Sequence, residues 1–145
     1  MSNEPAVFTD SELAYMAGQR LGRLATVSPS GTPQNNPVGY WVNAALGTID
    51  IYGFNLAKSK KFRNLKGNPN VAFVVDDLAS VDPWVVRGVE VRGTAEALQG
   101  VAPPITQMSH EVIRVHPKRI ISWGVDPASP SMSARDVTAG TNEAA

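Results

Sequence analysis

The sequence predicts one mostly β domain, a barrel or sandwich of roughly six or seven antiparallel strands with two short helices. Three observations carry that expectation. Apolar and polar residues alternate over short runs, as in Val89, Val91, Ala95 and Ala97 against Glu90, Arg92, Thr94 and Glu96, the period of a strand with one face covered. Turn residues such as Pro29-Ser30-Gly31 and the stretch Ala44 to Gly47 punctuate these runs at hairpin spacing. Helix-start signals occur at two places, Thr9 and Ser59.

Taken in order, Thr9-Asp10-Ser11-Glu12 has the spacing of a capping box, with Leu13 and Met16 following at helical spacing and Gly18 as a stop. Leu21 to Val27 alternates, with Gly22, Leu24 and Thr26 on one side and Leu21, Ala25 and Val27 on the other, as a strand with both faces partly covered would do. A second strand is expected from about Gln34 to Val42. Pro37 within it cannot donate to a ladder and so implies an edge, a bulge or a place where something other than a strand comes alongside. Thr48 to Phe54 reads as a third strand with Ile49 and Ile51 inward and Asp50 and Tyr52 outward.

A helix opening at Ser59 should end at Asn68-Pro69, because the residue before proline disfavours helical dihedrals. Val71 to Val75 is a short apolar run suited to a buried strand, followed by a loop bearing Asp76, Asp77 and Asp82. Trp84 to Leu98 is a long half-buried strand in which Gly88 or Gly93 marks a bend. Glu111 to Val115 and Lys118 to Val125, divided by His116-Pro117, form a last strand pair or one bent strand. The domain therefore spans 1–127, and residues 128–145, rich in Pro, Ser, Ala, Thr and Gly, are expected to be a disordered tail.

Composition narrows the function. The 145 residues contain no cysteine, which excludes disulfides, thiolate metal sites and a thiol nucleophile. Thirteen basic residues balance thirteen acidic ones, so overall charge points to neither nucleic acid nor an anionic membrane. The N-terminal residues lack the parts of a signal peptide, and no apolar run approaches the ~18 residues of a membrane helix; a cytoplasmic protein is expected. The three aspartates match no calcium loop, and no metal is expected. His110 and His116, six residues apart, fit neither a helical metal pair nor a catalytic triad. No catalytic residue can be named, and no glycine-rich phosphate loop is present.

The most informative stretch is Lys58-Ser59-Lys60-Lys61-Phe62-Arg63-Asn64-Leu65-Lys66, with five cations in nine residues. Ser59 is an N-cap candidate, placing Lys60 and Lys61 in the first helical turn, where cations oppose the helix dipole. A bound phosphate would relieve that opposition. A solvated basic helix start fits the same residues. Lys58 and Lys66 read as ordinary surface charge.

Several segments together carry a resemblance. Arg20-Leu21-Gly22-Arg23-Leu24-Ala25-Thr26-Val27, Gly31-Thr32-Pro33-Gln34, Pro37-Val38-Gly39, and Lys60-Lys61-Phe62-Arg63-Asn64-Leu65 with Asn68-Pro69 resemble the pyridoxamine-phosphate-oxidase-like superfamily. Its fold is an antiparallel split β-barrel of the FMN-binding type. Val74 to Trp84, Gly88 to Gly93 and Ile121 to Asp126 are similar to the actinobacterial branch that uses the deazaflavin coenzyme F-420. The match covers about residues 8–127.

The resemblance implies a homodimer with two cofactor sites between subunits. It puts the cofactor phosphate on Ser59, Lys60 and Lys61. The ring would lie against Asn36, Pro37 and Val38 on one strand and Ile51, Gly53 and Asn55 at the end of another, with Trp84 and Trp123 as weaker candidates for a substrate or partner-subunit pocket. The implied activity is hydride transfer from reduced coenzyme F-420 to a small conjugated acceptor bound at the dimer interface, the cofactor carrying the chemistry and the protein supplying orientation. The alternatives are an FMN-dependent oxidase or reductase and a non-enzymatic flavin- or tetrapyrrole-binding protein.

Overall fold

The computed structural model describes residues 6–138. Helix α1, Asp10–Ala17, opens with the expected capping box: the Thr9 hydroxyl accepts from the Glu12 N–H at 3.1 Å, and the Thr9 N–H donates to the Glu12 carboxylate at 3.0 Å. Its inner side buries Glu12, Tyr15 and Met16. Strand β1, Leu21–Val27, shows the expected alternation, and the structure turns Gly22, Leu24 and Thr26 inward. Gly22 is needed there, because a Cβ would fall 2.4 Å from the Phe73 ring.

Strand β2, Pro33–Gly39, pairs antiparallel with β1, and Trp41–Asn43 forms a separate strand β3 paired with β4, Thr48–Ile51. One strand was expected here. The chain bends at Tyr40, whose hydroxyl donates to the Met16 carbonyl at 2.7 Å and whose ring meets Phe73 edge-on. Pro37 sits in an edge strand, the first of the three arrangements its missing N–H allows. Strand β4 is shorter than expected, and Asp50 is buried rather than outward. Thr48, Asn43 and Arg114 all donate to its carboxylate, which makes that burial tolerable.

A single 3-10 turn, Leu56–Lys58, leads into α2, Lys60–Gly67. Strands β5, Asn70–Ser80, β6, Val85–Gln99, and β7, Glu111–Trp123, form a continuous antiparallel meander. Asp76 and Asp77 belong to β5 and not to a loop: Arg23 pairs with Asp76, and Arg87 and Tyr15 hold Asp77. The last strands are one bent strand. Its register slips beside Pro117, and Gly93 opposite lies so close that a Cβ would be 2.0 Å from the His116 carbonyl oxygen.

Strand β8, Ser133–Asp136, pairs with the second half of β7 inside the stretch expected to be a tail. It has little apolar surface to bury and is held by its ladder and by Arg135, which reaches Glu12. Residues 139–145 of that expected tail lie outside the described residues.

The strand order is β2-β1-β5-β6-β7-β4-β3, with β8 also on β7. Because β2 and β3 are consecutive in the chain yet lie at opposite ends of this path, the bend at Tyr40 brings the two ends together without a ladder between them. The result is an antiparallel barrel open at one seam, a split barrel. Leu24, Ile49, Phe73, Val75, Val91, Ile113 and Ile120 fill its interior, and α2 packs on β1 and β6.

Candidate cofactor site at the start of the second helix

The site begins with a local rule. Ser59 is extended, and its hydroxyl accepts from the Phe62 N–H at 3.3 Å while donating to the Leu56 carbonyl at 2.6 Å, so it is the N-cap of α2. With Phe62 satisfied, the Lys60 and Lys61 N–H groups remain for a partner outside the helix. The first turn holds no acidic residue, and none of the five cations forms an ion pair among the described residues. Lys60 is exposed and Lys61 half-buried. Uncompensated positive charge at a helix N-terminus is the donor set a phosphate ester requires, and these residues fit one.

Long-range hydrogen bonds fix this helix start against the barrel. Asn64, buried on the inner side of α2, donates to the Thr26 hydroxyl at 3.0 Å and to the Gln34 side-chain carbonyl, tying the helix to β1 and β2. On the other side, the Gly53 carbonyl accepts from both the backbone N–H and the hydroxyl of Ser109, at 2.9 and 3.0 Å. The same hydroxyl accepts from the Leu56 N–H at 3.1 Å, and Glu111 accepts from the Ala57 N–H at 3.3 Å. Sequence reading missed Asn64, Ser109 and Glu111, because their partners lie 30 to 56 residues away.

The ring-site residues implied by resemblance fall into different environments. Asn36 is half-buried, on the inward-facing side of β2 with buried Val38, while Pro37 is exposed on the other face. Gly53 is half-buried and Asn55 exposed in the bend after β4. Ile51 is 0% exposed within the core, which leaves only its backbone to a ligand. Trp84 is 69% exposed at the tip of the β5–β6 hairpin. Trp123 is half-buried and lies over Gly88, where a Cβ would come within 2.7 Å of its ring.

Beside α2 an open groove of about 710 Å³ is lined by Ala57, Phe62, Arg63, Lys66, Ala97 and Gln99. Burial pushes the Tyr40 hydroxyl up to about 12, and burial together with Asp77 raises that of Tyr15. Both are already engaged as donors within the fold. What the start of α2 offers is a set of donors for binding: the Lys60 and Lys61 N–H groups and two ammonium groups.

A split barrel with an anion-ready helix start packed on β1 and β6 is a scaffold suited to a phosphate-bearing ligand. This chain belongs to the pyridoxamine 5'-phosphate oxidase family, whose sequence pattern matches residues 8–143. It is 46% identical over 134 residues to a 5a,11a-dehydrotetracycline/5a,11a-dehydrooxytetracycline reductase of Streptomyces rimosus, covering 91% of this chain and 94% of that one. Among solved structures, a conserved hypothetical protein of Mycobacterium tuberculosis superposes with a TM-score of 0.62 at 25% identity, covering 96% of this chain and 99% of that one. A protein described as an F420 reductase superposes with a TM-score of 0.59 at 24% identity, covering 78% of this chain and 98% of that one. No helix among the described residues is long and apolar enough to cross a membrane.

Proposed function

We propose that this protein is a homodimeric reductase that uses reduced coenzyme F-420 to reduce a conjugated double bond in a polycyclic acceptor related to dehydrotetracycline. The observation that carries the reading is the 46% identity, over nearly the whole of both chains, to a reductase of such compounds. The helix start supports the cofactor assignment, since Lys60 and Lys61 offer ammonium and backbone donors to a phosphate.

When bound, the deazaflavin supplies the hydride, and this chain supplies position and exclusion of water. Lys60 and Lys61 bind the phosphate, with Ser59 holding the helix start in shape. Asn36, Pro37, Val38, Gly53 and Asn55 frame the ring, and Ile51 backs it from the core. The second subunit is supported by Leu78, Val81, Trp84, Val85 and Val86, which leave an exposed apolar tip on the β5–β6 hairpin. Exposed apolar side chains gathered at a hairpin tip suit an interaction surface. Trp84 of the partner subunit covers the acceptor side of the pocket, and Trp123 has the smaller role because it packs over Gly88.

The test is direct. Purified protein is mixed with reduced coenzyme F-420 and 5a,11a-dehydrotetracycline, and reoxidation of the cofactor is followed by absorbance. Turnover is expected. Absence of both micromolar binding and reoxidation would sink the reading, and a protein that purifies yellow with FMN would replace its cofactor.

A further inference from the structure

We infer that Phe54 is the residue that positions the acceptor, forming a fixed aromatic edge beside the cofactor site on which a flat conjugated substrate packs. The inference deepens the proposed function and rests on it.

Phe54 is 70% exposed in the bend directly after β4. Exposed phenylalanines on loose loops need no explanation, but the backbone around this one is clamped. Ser109 donates twice to the Gly53 carbonyl and accepts from the Leu56 N–H, while Glu111 holds the Ala57 N–H. Leu56, 2% exposed, anchors the segment in the core below. The fold thus holds an apolar ring outward on a pinned turn.

Its surroundings extend the same surface. The turn that supplies Ser109 closes with the Met108 N–H donating to the Ile105 carbonyl, and Ile105 is 42% exposed. Two residues before Phe54, Tyr52 meets Trp41 edge-on at 5.5 Å. None of Trp41, Tyr52, Phe54 and Ile105 belongs to the core cluster that fills the barrel, and the Phe54 and Ile105 side chains are exposed. Gly53 and Asn55, the neighbours of Phe54, are residues assigned above to the ring. An aromatic held at the border of a hydride donor suits an acceptor with an extended π face, since offset or edge-on aromatic contacts fix orientation as well as bury area. In the dimer proposed above, the hairpin tip bearing Val81 and Trp84 reaches this pocket from the partner, so the mass readout below separates loss of the acceptor contact from loss of the dimer.

The experiment compares Phe54→Ala and Phe54→Tyr with the unmodified full chain. The readouts are cofactor Kd by fluorescence, mass by light scattering, and kcat and KM for 5a,11a-dehydrotetracycline. Phe54→Ala should raise KM roughly tenfold and lower kcat several-fold, with cofactor Kd and mass little changed, and Phe54→Tyr should restore both KM and kcat to within about threefold. An unchanged KM in Phe54→Ala overturns the inference while leaving the proposed function standing. A matching loss of cofactor affinity or of the dimer also overturns it. If the unmodified chain neither binds nor oxidises the reduced cofactor, the proposed function fails first and this inference falls with it.

Discussion

Arg135 closes a bidentate pair onto Glu12 across 123 residues, donating to its two carboxylate oxygens at 2.8 and 2.7 Å. The same guanidinium donates to the Val7 carbonyl at 2.7 Å. Glu12 is 1% exposed and also completes the capping box of α1, so one carboxylate joins the first helix to the last strand. Replacing Arg135 by alanine leaves that carboxylate buried without its counter-charge. The expected cost is about 3 kcal/mol, the lower end for a broken buried pair because Arg135 keeps partial access to water. Glu12→Gln in the same background should recover part of it. Denaturant midpoints of the single and double variants measure both effects.

The pair also has a pH signature. Burial raises the Glu12 carboxyl, but the hydrogen bonds from Arg135 and Thr9 and the charge of Arg135 outweigh it, leaving the group below its ordinary 4.5. Arg87 is the chief cause that holds Asp77 below its ordinary 3.8. A carboxyl with a lowered folded value stabilises the fold above its unfolded value, and that stability is lost as pH falls through the folded value. Thermal midpoints should therefore hold from pH 7 down to about 5 and decline below 4.5. In Glu12→Gln the decline should be shallower, as read by calorimetry across that range.

The Arg135–Glu12 pair depends on β8, which was not legible in the sequence. Secondary structure that rests on local chemistry was legible: the Thr9 and Glu12 capping box, the Ser59 cap, the alternation of β1 and the restricted pairing at Pro37 all follow from neighbours a few residues apart or from a missing N–H. What escaped depends on partners distant in sequence. Asp50 alternates as an outward residue, yet Arg114 on β7 makes it a buried one. Asp76 and Asp77 resemble a loop until Arg23 and Arg87 are placed beside them. In the candidate site the same division holds: the helix cap could be read from the sequence, whereas the clamp by Ser109 could not.

Gly93 tests the bend in the barrel. Its position opposite Pro117 leaves no room for a side chain, and the obstructing atom is backbone, which cannot rotate away. Gly93→Ala should destabilise by about 3 kcal/mol, at the upper end of ordinary overpacking. Gly31→Ala offers a contrast. That glycine has open space around it but a φ of 88°, so its cost is conformational and should be nearer 1 kcal/mol. Chemical denaturation of the two variants should rank them in that order.

Lys60 and Lys61 offer a test in which binding and folding move in opposite directions. Each lysine sits in the first turn of α2, where it opposes the helix dipole at a cost of roughly 0.3–1 kcal/mol. Removing both, as Lys60→Ala with Lys61→Ala, should leave the ligand-free protein as stable as before or slightly more so. Each charge-assisted contact to a phosphate contributes about 1.5–3 kcal/mol, so affinity for coenzyme F-420 should fall at least tenfold. Lys118→Ala, an exposed lysine on β7, removes a comparable charge far from the helix start and should leave affinity unchanged. The two measurements are a denaturant midpoint without ligand and a fluorescence titration with it. Stability retained and affinity lost would mean that these cations are kept for a ligand; loss of both would make them structural, and an unchanged affinity would put the phosphate elsewhere.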